Sequence, residues 1–394
     1  MHEGSMKILV INCGSSSFKF RLFEMGKDHV EPLFSGFFDA LNIKKFDPDG
    51  VFSHGRAAQL AVQALMDADS GVISSLDEIT AVGHRVVHGG EKFVAPAVID
   101  SDVIAAIEAC SALAPLHNPI NLEGIRAARH LLPDIPHVAV FDTAFHQSLE
   151  PKAFLYAIPY EYYTAHGIRR YGFHGSSHKY VFHEAAAFLD QPPEKFKAII
   201  CHLGSGSSIS AVKGAKVVET SMGFTPLEGL VMGTRCGDLD PSVPFFMARQ
   251  TGLPFDAIED ILNKKSGLLG ISGKSNDMRQ VLAAARNGDP RASVAVEVYV
   301  HRVIKYIGAY VSVLDGVDAV VFTAGIGEYS PDIRKRIMDQ LSWLGITPDE
   351  QKNQQVISRN AVISKKGSTT QVLVIPTDEE KEIAKQTFEK TRLR

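Results

Sequence analysis

The sequence predicts an α/β protein built from two related lobes, on three observations. Strand-like runs rich in Val, Ile and Phe alternate with helical periods in both halves of the chain. A strand, a turn of Gly and hydroxyl residues and a second strand occur twice, as VINCGSSSFKF from Val10 and as IICHLGSGSSISAV from Ile199. The chain has 394 residues, more than the roughly 250–300 at which a single core stops growing.

Strands are expected at residues 8–12, 18–23, 33–38, 137–141, 198–202, 207–212, 319–322 and 372–375. The strongest helical period runs over Pro290–Leu314, where Val296, Val300, Val303, Ile307, Tyr310 and Leu314 recur at steps of four and three and form one apolar stripe. At the C-terminal end, Thr377 with Glu380 three residues later reads as a capping box opening a last helix. No Pro- or Gly-rich linker marks a boundary, which is placed near residue 150. Met1–Ser5 precede a second Met from which the first strand starts at once, and they are left out of the fold argument.

Composition narrows the function classes. A hydrophobic content of 45% supports a large core, and a net charge of -4 disfavours nucleic acid or an anionic membrane as partner. Small molecules are the expected partners. Cys13, Cys110, Cys201 and Cys236 are scattered without metal-type spacing and read as reduced thiols. No apolar run reaches the roughly 20 residues of a membrane span, and no secretory pattern opens the chain, so a cytoplasmic location is expected.

Three turns have the composition to hold phosphate, because backbone N–H groups in a Gly turn and Ser hydroxyls surround phosphate oxygens without crowding them. They are Asn12–Ser17 with Lys19 behind it, His202–Ser208, and Phe322–Asp332, in which Ser330 and Pro331 open a helix. None is a Walker A sequence or a dinucleotide fingerprint. Each alone is equally a Gly-Ser turn chosen for backbone freedom.

Charges sit in apolar surroundings elsewhere. Arg85 lies within AVGHRVVHGG, Asp142 ends VAVFDTAFH, His174 precedes a Gly-Ser-Ser turn, and Arg235 occupies the Gly-flanked MGTRCGDLDP. Structural ion pairs for the arginines and a loop cap for Asp142 are the competing readings. His84 and His88 read better as satisfied core or surface histidines than as catalysts.

Taken in order, ILVINCGSSSFKF, VGHRVVHGG, PLHNP, FDTAFH, RRYGFHGSSH, HLGSGSS, GFTPLEGLVMGTRCGDLDP, FTAGIGE and IPTDEE resemble the motif series of the acetate kinase family, from Lys7 nearly to the C-terminus. The resemblance implies the acetate and sugar kinase, Hsp70 and actin fold: two duplicated ribonuclease-H-like lobes with a nucleotide cleft between them. It implies an N-terminal lobe of residues 6–150 plus 376–394, a C-terminal lobe of residues 151–375 carrying the dimer interface, and a homodimer. The implied reaction is reversible phosphoryl transfer from ATP to acetate, giving acetyl phosphate and ADP, with Mg2+ and with Mn2+ as a substitute.

The same resemblance assigns residues. Asn12 and Glu379 are implied at the metal. Ser15, Ser17 and Lys19 of the first loop, His202, Leu203, Gly204, Ser205 and Gly206 of the second, Asp277, Met278 and Arg279, and Gly325, Ile326, Gly327, Glu328 and Tyr329 are implied at the nucleotide. Arg85 is implied to grip the substrate carboxylate, His174 and Arg235 to stabilise the transition state, and Asp142 and His117 to stand at the active site. Val87, Leu116, Phe173 and Pro226 are implied around the substrate methyl. Ser205 and Tyr329 replace the Asn frequent at those positions; a hydroxyl still bonds phosphate, so activity is expected to be kept, with nucleotide affinity and preference left open.

Physical chemistry refines two of these roles. Acetate is already ionised near pH 7, so no general base is needed, and Asp142 is expected to organise metal, water or Arg235 rather than to accept a proton. Val87 rather than a smaller residue favours acetate over propionate or butyrate. A chaperone- or actin-like ATPase switch would lack the carboxylate clamp, and a Ser hydrolase would need a G-x-S-x-G elbow that is absent.

Overall fold

A computed structural model describes residues 5–14, 17–27, 29–40, 42–45, 52–115 and 117–392. By its internal contacts the chain divides into two compact units, Met1–Gln147 with Asp378–Arg394, and Ser148–Thr377. Each unit holds one six-stranded mixed sheet.

In the first unit the strands are β1 (Met6–Gly14), β2 (Ser17–Met25), β3 (Val30–Asp39), β4 (Ile79–Val86), β5 (Ala97–Val98) and β6 (His137–Phe141), in the order β3-β2-β1-β4-β6-β5. In the second they are β7 (Lys197–Leu203), β8 (Ser207–Lys213), β9 (Lys216–Thr220), β10 (Ala319–Thr323), β11 (Ala361–Val362) and β12 (Gln371–Val374), in the order β11-β12-β10-β7-β8-β9. Each sheet is an antiparallel meander of three strands whose first member pairs parallel with a fourth and then a sixth, edged by a short antiparallel fifth. The duplication expected from the repeated hairpin is therefore complete in topology, and the turns β1–β2 and β7–β8 occupy equivalent places.

The side-chain period of two decides what covers the first sheet. Ile8 and Val10 pack with Phe23, Val138 and Val140 against Ile383 and Ala384 of the helix Glu379–Arg392. Leu9 and Ile11 face the opposite way and pack with Phe18, Phe20 and Leu22 against Ala57, Ala61 and Leu65 of the helix His54–Leu65. Both faces are covered, as parallel strands require. In the second unit the whole apolar stripe of Pro290–Leu314 is buried.

Three expectations are corrected. β4 was not foreseen, because ITAVGHRV carries a glycine and two basic side chains; it is nevertheless the central partner of β1 and β6. The segment after β10 is a short helix, Ala324–Tyr329, rather than an open Gly turn, entered through Ala324 at φ 64°. The last helix is capped by Asp378, whose carboxylate accepts from Lys381 N at 3.0 Å, and not by Thr377, whose hydroxyl donates to Ser177.

Candidate active site

In the first unit the predicted residues gather on one face of the sheet by simple alternation. Antiparallel register pairs Ile8 with Phe23, Val10 with Arg21 and Asn12 with Lys19, and parallel register pairs Val10 with Gly83. Asn12, Lys19, Arg21 and Arg85 thus share the face covered by the Glu379–Arg392 helix, and Asp142 follows the end of β6. The first turn of that helix brings Glu379 and Glu380, where the helix dipole favours carboxylates.

The contacts are short. Arg85 Nη2 donates to Asp142 Oδ2 at 2.8 Å, and Arg85 Nε lies 3.8 Å from Glu379. Lys19 Nζ lies 2.8 Å from Glu380, and Arg21 Nη1 donates to Asp378 at 2.6 Å. Burial opposes the charge of Arg85, but Asp142 and Glu379 more than offset it and its pKa stands above the ordinary value. Burial raises the Glu379 carboxyl; Arg85 pulls it back, while Asp142 and Glu380 push it further up. A face that crowds buried carboxylates with a carboxamide offers the hard oxygen donors a divalent cation selects, and a cation there would relieve the crowding. Asn12 and Glu379 fit such an ion. The arginine bonded to Asp142 is Arg85, whereas the expectation names metal, water or Arg235.

Residues the motifs did not single out hold this unit's loops. Asn121 accepts from Val87 N at 3.0 Å and donates to Cys13 O at 3.2 Å, tying the end of β4 to the end of β1. Asn118 accepts from His88 N and donates to His88 O, both at 3.0 Å. The signal was the Asn-Pro start of a helix with a second Asn three residues on, both on its buried side. His54 Nε2 meets Gly14 O at 2.9 Å at the first loop. His146 is buried, and burial pushes its pKa down to about 4 against the pull of Asp142. His117 is exposed at the start of the Asn118–Leu131 helix. Val87 is buried, Ser17 stands over Gly14, and Ser15 and Leu116 lie outside the described residues.

In the second unit two predicted residues converge on the second loop. A Cβ built on Gly206 would lie 2.6 Å from Arg235 Nη2 and 3.4 Å from His174 Nε2. His174 holds a left-handed backbone, φ 59°, a conformation that costs on the order of 1–3 kcal/mol and is tolerated where function requires it. Its Nδ1 lies 2.8 Å from Ser208 Oγ, which also meets His178 Nε2 at 2.8 Å, and its Nε2 lies on the side of the loop. His202 stacks on His174 with ring centroids 4.2 Å apart. Thr377 donates to Ser177 at 2.7 Å and Ser177 in turn to His202 Nδ1 at 2.8 Å, which leaves the His202 proton on Nε2.

Arg235 donates Nη1 to Pro226 O at 2.7 Å. Among the described residues no carboxylate pairs with it; burial alone acts on it and lowers its pKa from the ordinary value. Arg235 is half-buried, and a partly desolvated guanidinium without a counter-charge is costly in a resting protein and useful where an anion arrives. Phe173 is buried beside His174. Arg170, not singled out by the motifs, bonds Glu228 at 2.6 Å and the carbonyls of Thr220 and Ser221 at 3.1 and 3.3 Å, fixing the strand end that leads to Pro226.

A cavity of about 950 Å³ opens in this unit, lined by Gly204, Ser205, Asp277, Met278, Arg279, Gly325, Ile326 and Tyr329 together with Asn276, Leu282, Arg286 and Lys335. Asp277 caps its helix by accepting from Arg279 N at 2.8 Å. Tyr329 is exposed at the rim. Glu328 turns inward: it accepts from Ala324 N at 2.8 Å, Thr377 N at 3.1 Å and Ser358 Oγ at 2.7 Å, and so shapes the segment. His202, Leu203, Gly206 and Gly327, also expected at the nucleotide, are not part of this lining. No helix among the described residues is long and apolar enough to cross a membrane.

Comparison with known proteins follows this geometry. The model of the acetokinase family matches residues 7–385. An acetate kinase of Halothermothrix orenii is 50% identical over 393 residues, covering 97% of this chain and 98% of that protein. The crystal structure of Porphyromonas gingivalis acetate kinase superimposes with a TM-score of 0.90 at 42% identity, over 99% of this chain and 100% of the other. A propionate kinase from Francisella tularensis has a TM-score of 0.85 at 41% identity, over 98% and 99% of the two chains.

Proposed function

The chain belongs to the acetokinase family, and from that premise we propose that it transfers the γ-phosphoryl group of ATP to acetate, reversibly, giving acetyl phosphate and ADP. The observation that carries the reading is the convergence of His174 and of Arg235, half-buried and paired with no carboxylate among the described residues, on Gly206 of the second Gly-Ser loop. Phosphoryl transfer needs alignment and neutralisation of the charge that spreads over three equatorial oxygens, and these two donors supply both.

Acetate and the transferring group repel each other. Arg85, its fork held by Asp142 at 2.8 Å, grips the carboxylate bidentately. A carboxylate oxygen forms the new bond to phosphorus, the bond from phosphorus to the bridging oxygen of ADP breaks, and no proton need move because acetate is already ionised. Asp142 is therefore a positioning residue. Arg235 and His174 Nε2 take up the equatorial charge, and an arginine in this role contributes on the order of 10³–10⁵ in rate. Mg2+, or Mn2+ in its place, would be held by Asn12 and Glu379 and would neutralise charge on the nucleotide phosphates. Lys19 and the first loop, with Ser15 and Ser17, act on the same phosphates. The cavity beside Asp277–Arg279 and Gly325–Tyr329 takes the adenosine part. Val87, Phe173, Pro226 and Leu116 are the residues assigned to the substrate methyl group.

The homodimer is part of this reading. Val243, Phe245 and Phe246 of the helix Ser242–Thr251, Phe255 of the helix Phe255–Lys264 and Leu253 in the link between them are all exposed, and a second copy is the occupant assigned to that face. The four free thiols suit a reducing cytoplasm. Propionate kinase is the second reading, favoured by the Francisella relative.

The test is an assay of purified protein with ATP, magnesium and a series of short carboxylates, trapping acyl phosphate as the hydroxamate. Acetate should give the highest kcat/KM. Trapped product with propionate in preference to acetate would select the second reading, and nucleotide hydrolysis with no trapped product would defeat both.

A further inference from the structure

We propose that Tyr156, Glu228 and Arg170 are positioning residues for Arg235: they hold the segment from Phe224 to Glu228, and with it the Pro226 carbonyl to which the Arg235 guanidinium is tied. The inference rests on the proposed reaction, in which Arg235 takes up charge on the transferring phosphoryl group. It extends the machinery to side chains that touch no substrate.

Arg235 lies between β9 and the helix Ser242–Thr251, in a stretch where no strand or helix aims its side chain. Among the described residues its guanidinium makes one hydrogen bond, from Nη1 to Pro226 O at 2.7 Å. The approach of Nη2 to Gly206 therefore depends on where the Pro226 carbonyl stands.

That carbonyl sits midway between two anchored residues. Phe224 N donates to Tyr156 Oη at 2.8 Å, and the same hydroxyl donates to Glu228 Oε2. Glu228 Oε1 accepts from Arg170 Nη2 at 2.6 Å. One phenol thus ties both ends of the segment. Burial, and then the Glu228 carboxylate, hold the Tyr156 pKa above its ordinary value, so the phenol keeps the proton it donates.

Arg170 fixes this arrangement to its surroundings. Its N–H donates to Phe154 O at 2.7 Å, and its Nη1 donates to the carbonyls of Thr220, Ser221 and Met222 at 3.1, 3.3 and 3.4 Å. Burial opposes the charge of Arg170, and Glu228, first among its neighbours, more than offsets it. Gly223 permits the close approach, since a Cβ there would run into Glu228 Oε2 and Tyr156 Oη. Removing one member leaves the others with unpaired polar groups and frees the segment to shift. Phosphoryl transfer depends on alignment, and a misplacement of about 1 Å can cost about 10² in rate.

The experiment compares wild type with Tyr156→Phe, Glu228→Gln and Ser148→Ala by steady-state kinetics in the hydroxamate assay and by thermal unfolding. Tyr156→Phe deletes one oxygen atom, so Phe224 N loses its acceptor and Glu228 one of its donors. Its kcat should fall roughly tenfold, with KM for acetate and for ATP within about twofold of wild type. Glu228→Gln should lower kcat in the same way at unchanged KM, and it decides the matter if Tyr156→Phe does not fold. Ser148→Ala also loses one hydroxyl, the donor to Val217 O at 2.9 Å in the same unit, and should keep the wild-type kcat whatever its unfolding temperature.

A wild-type kcat in either folded variant, a raised KM with kcat unchanged, or an equal loss of kcat in Ser148→Ala overturns the inference while the proposed reaction stands. A wild type that forms no acyl phosphate defeats the reaction, and the inference with it, so the wild-type rate tells the two failures apart.

Discussion

Arg85 and Asp142 meet at 2.8 Å on the covered face of the first sheet, whereas Arg235 in the second unit faces no carboxylate among the described residues. One guanidinium is held in place by a resident anion; the other is the one the proposed reaction assigns to a transient anion. Their substitutions should therefore differ in kind. Arg85→Ala should mainly raise KM for the carboxylate, and Arg235→Ala should lower kcat by about 10³ or more with a small change in KM. Steady-state kinetics on both variants decide this; equal modest effects on both parameters contradict the division of roles.

Gly206 has room for no side chain, since a Cβ would stand 2.6 Å from Arg235 Nη2. Gly206→Ala should push the guanidinium aside and lower kcat at least about tenfold, with thermal unfolding close to wild type because the atom displaced is the end of a flexible side chain. A wild-type kcat in this variant would show that Arg235 does not work at the second loop.

His84 and His137 form a buried pair, Nε2 to Nδ1 at 2.9 Å, and His137 Nε2 donates to Leu132 O at 2.8 Å. His137 Nδ1 is thus the acceptor and both rings are neutral. Burial lowers both pKa values from 6.5, with the neighbouring His137 and then Arg129 adding to the effect at His84. The unfolded chain then binds protons that the native state refuses, so this stability is complete above about pH 6.5 and is lost as pH falls, by about 1.4 kcal/mol per pH unit for each proton taken up. Urea midpoints measured from about pH 7 to about pH 5 should fall more steeply for wild type than for His84→Leu. Parallel slopes would remove the pair from the account of acid lability.

Val87 is buried, its N–H fixed by Asn121 at 3.0 Å, so its side chain holds a defined place. Val87→Ala should raise kcat/KM for propionate relative to acetate by roughly tenfold, the effect of one or two methyl groups in an apolar pocket. Competition between the two acids measures the ratio, and an unchanged ratio would release Val87 from specificity.

Phe245 and Phe246 are 53% and 57% exposed, unusual for adjacent aromatic side chains on one helix. Under the proposed homodimer, wild type should sediment as a dimer and Phe245→Asp/Phe246→Asp as a monomer in sedimentation equilibrium. A dimer that persists would place the interface elsewhere.

Much of the fold was legible because it is written in local pattern. Strand 137–141 and helix 290–314 were read to the residue, since one is a continuous apolar run and the other an uninterrupted stripe. β4 was hidden because its polar residues, His84 and Arg85, look like loop chemistry until the sheet supplies each with a partner, His137 on one face and Asp142 beside the other. The cap at Asp378 was displaced by one residue from Thr377 because Thr377 spends its N–H on Glu328 and its hydroxyl on Ser177. Neighbours 49 and 200 residues away in sequence decide that. Asn118, Asn121 and Arg170 were passed over for the same reason: their work is to satisfy backbone groups of loops distant in the chain.

By itself the sequence determined the α/β class, the repeated hairpin and the identity of the residues suited to anions, because periodicity and residue chemistry are local properties. Only tertiary structure decided that Arg85 has a standing carboxylate and Arg235 none among the described residues, that Glu328 serves the backbone, and that His84 is a core residue. Those outcomes depend on which groups burial brings within 3 to 4 Å of one another, and electrostatic energy in a dry interior is set by such distances rather than by residue type.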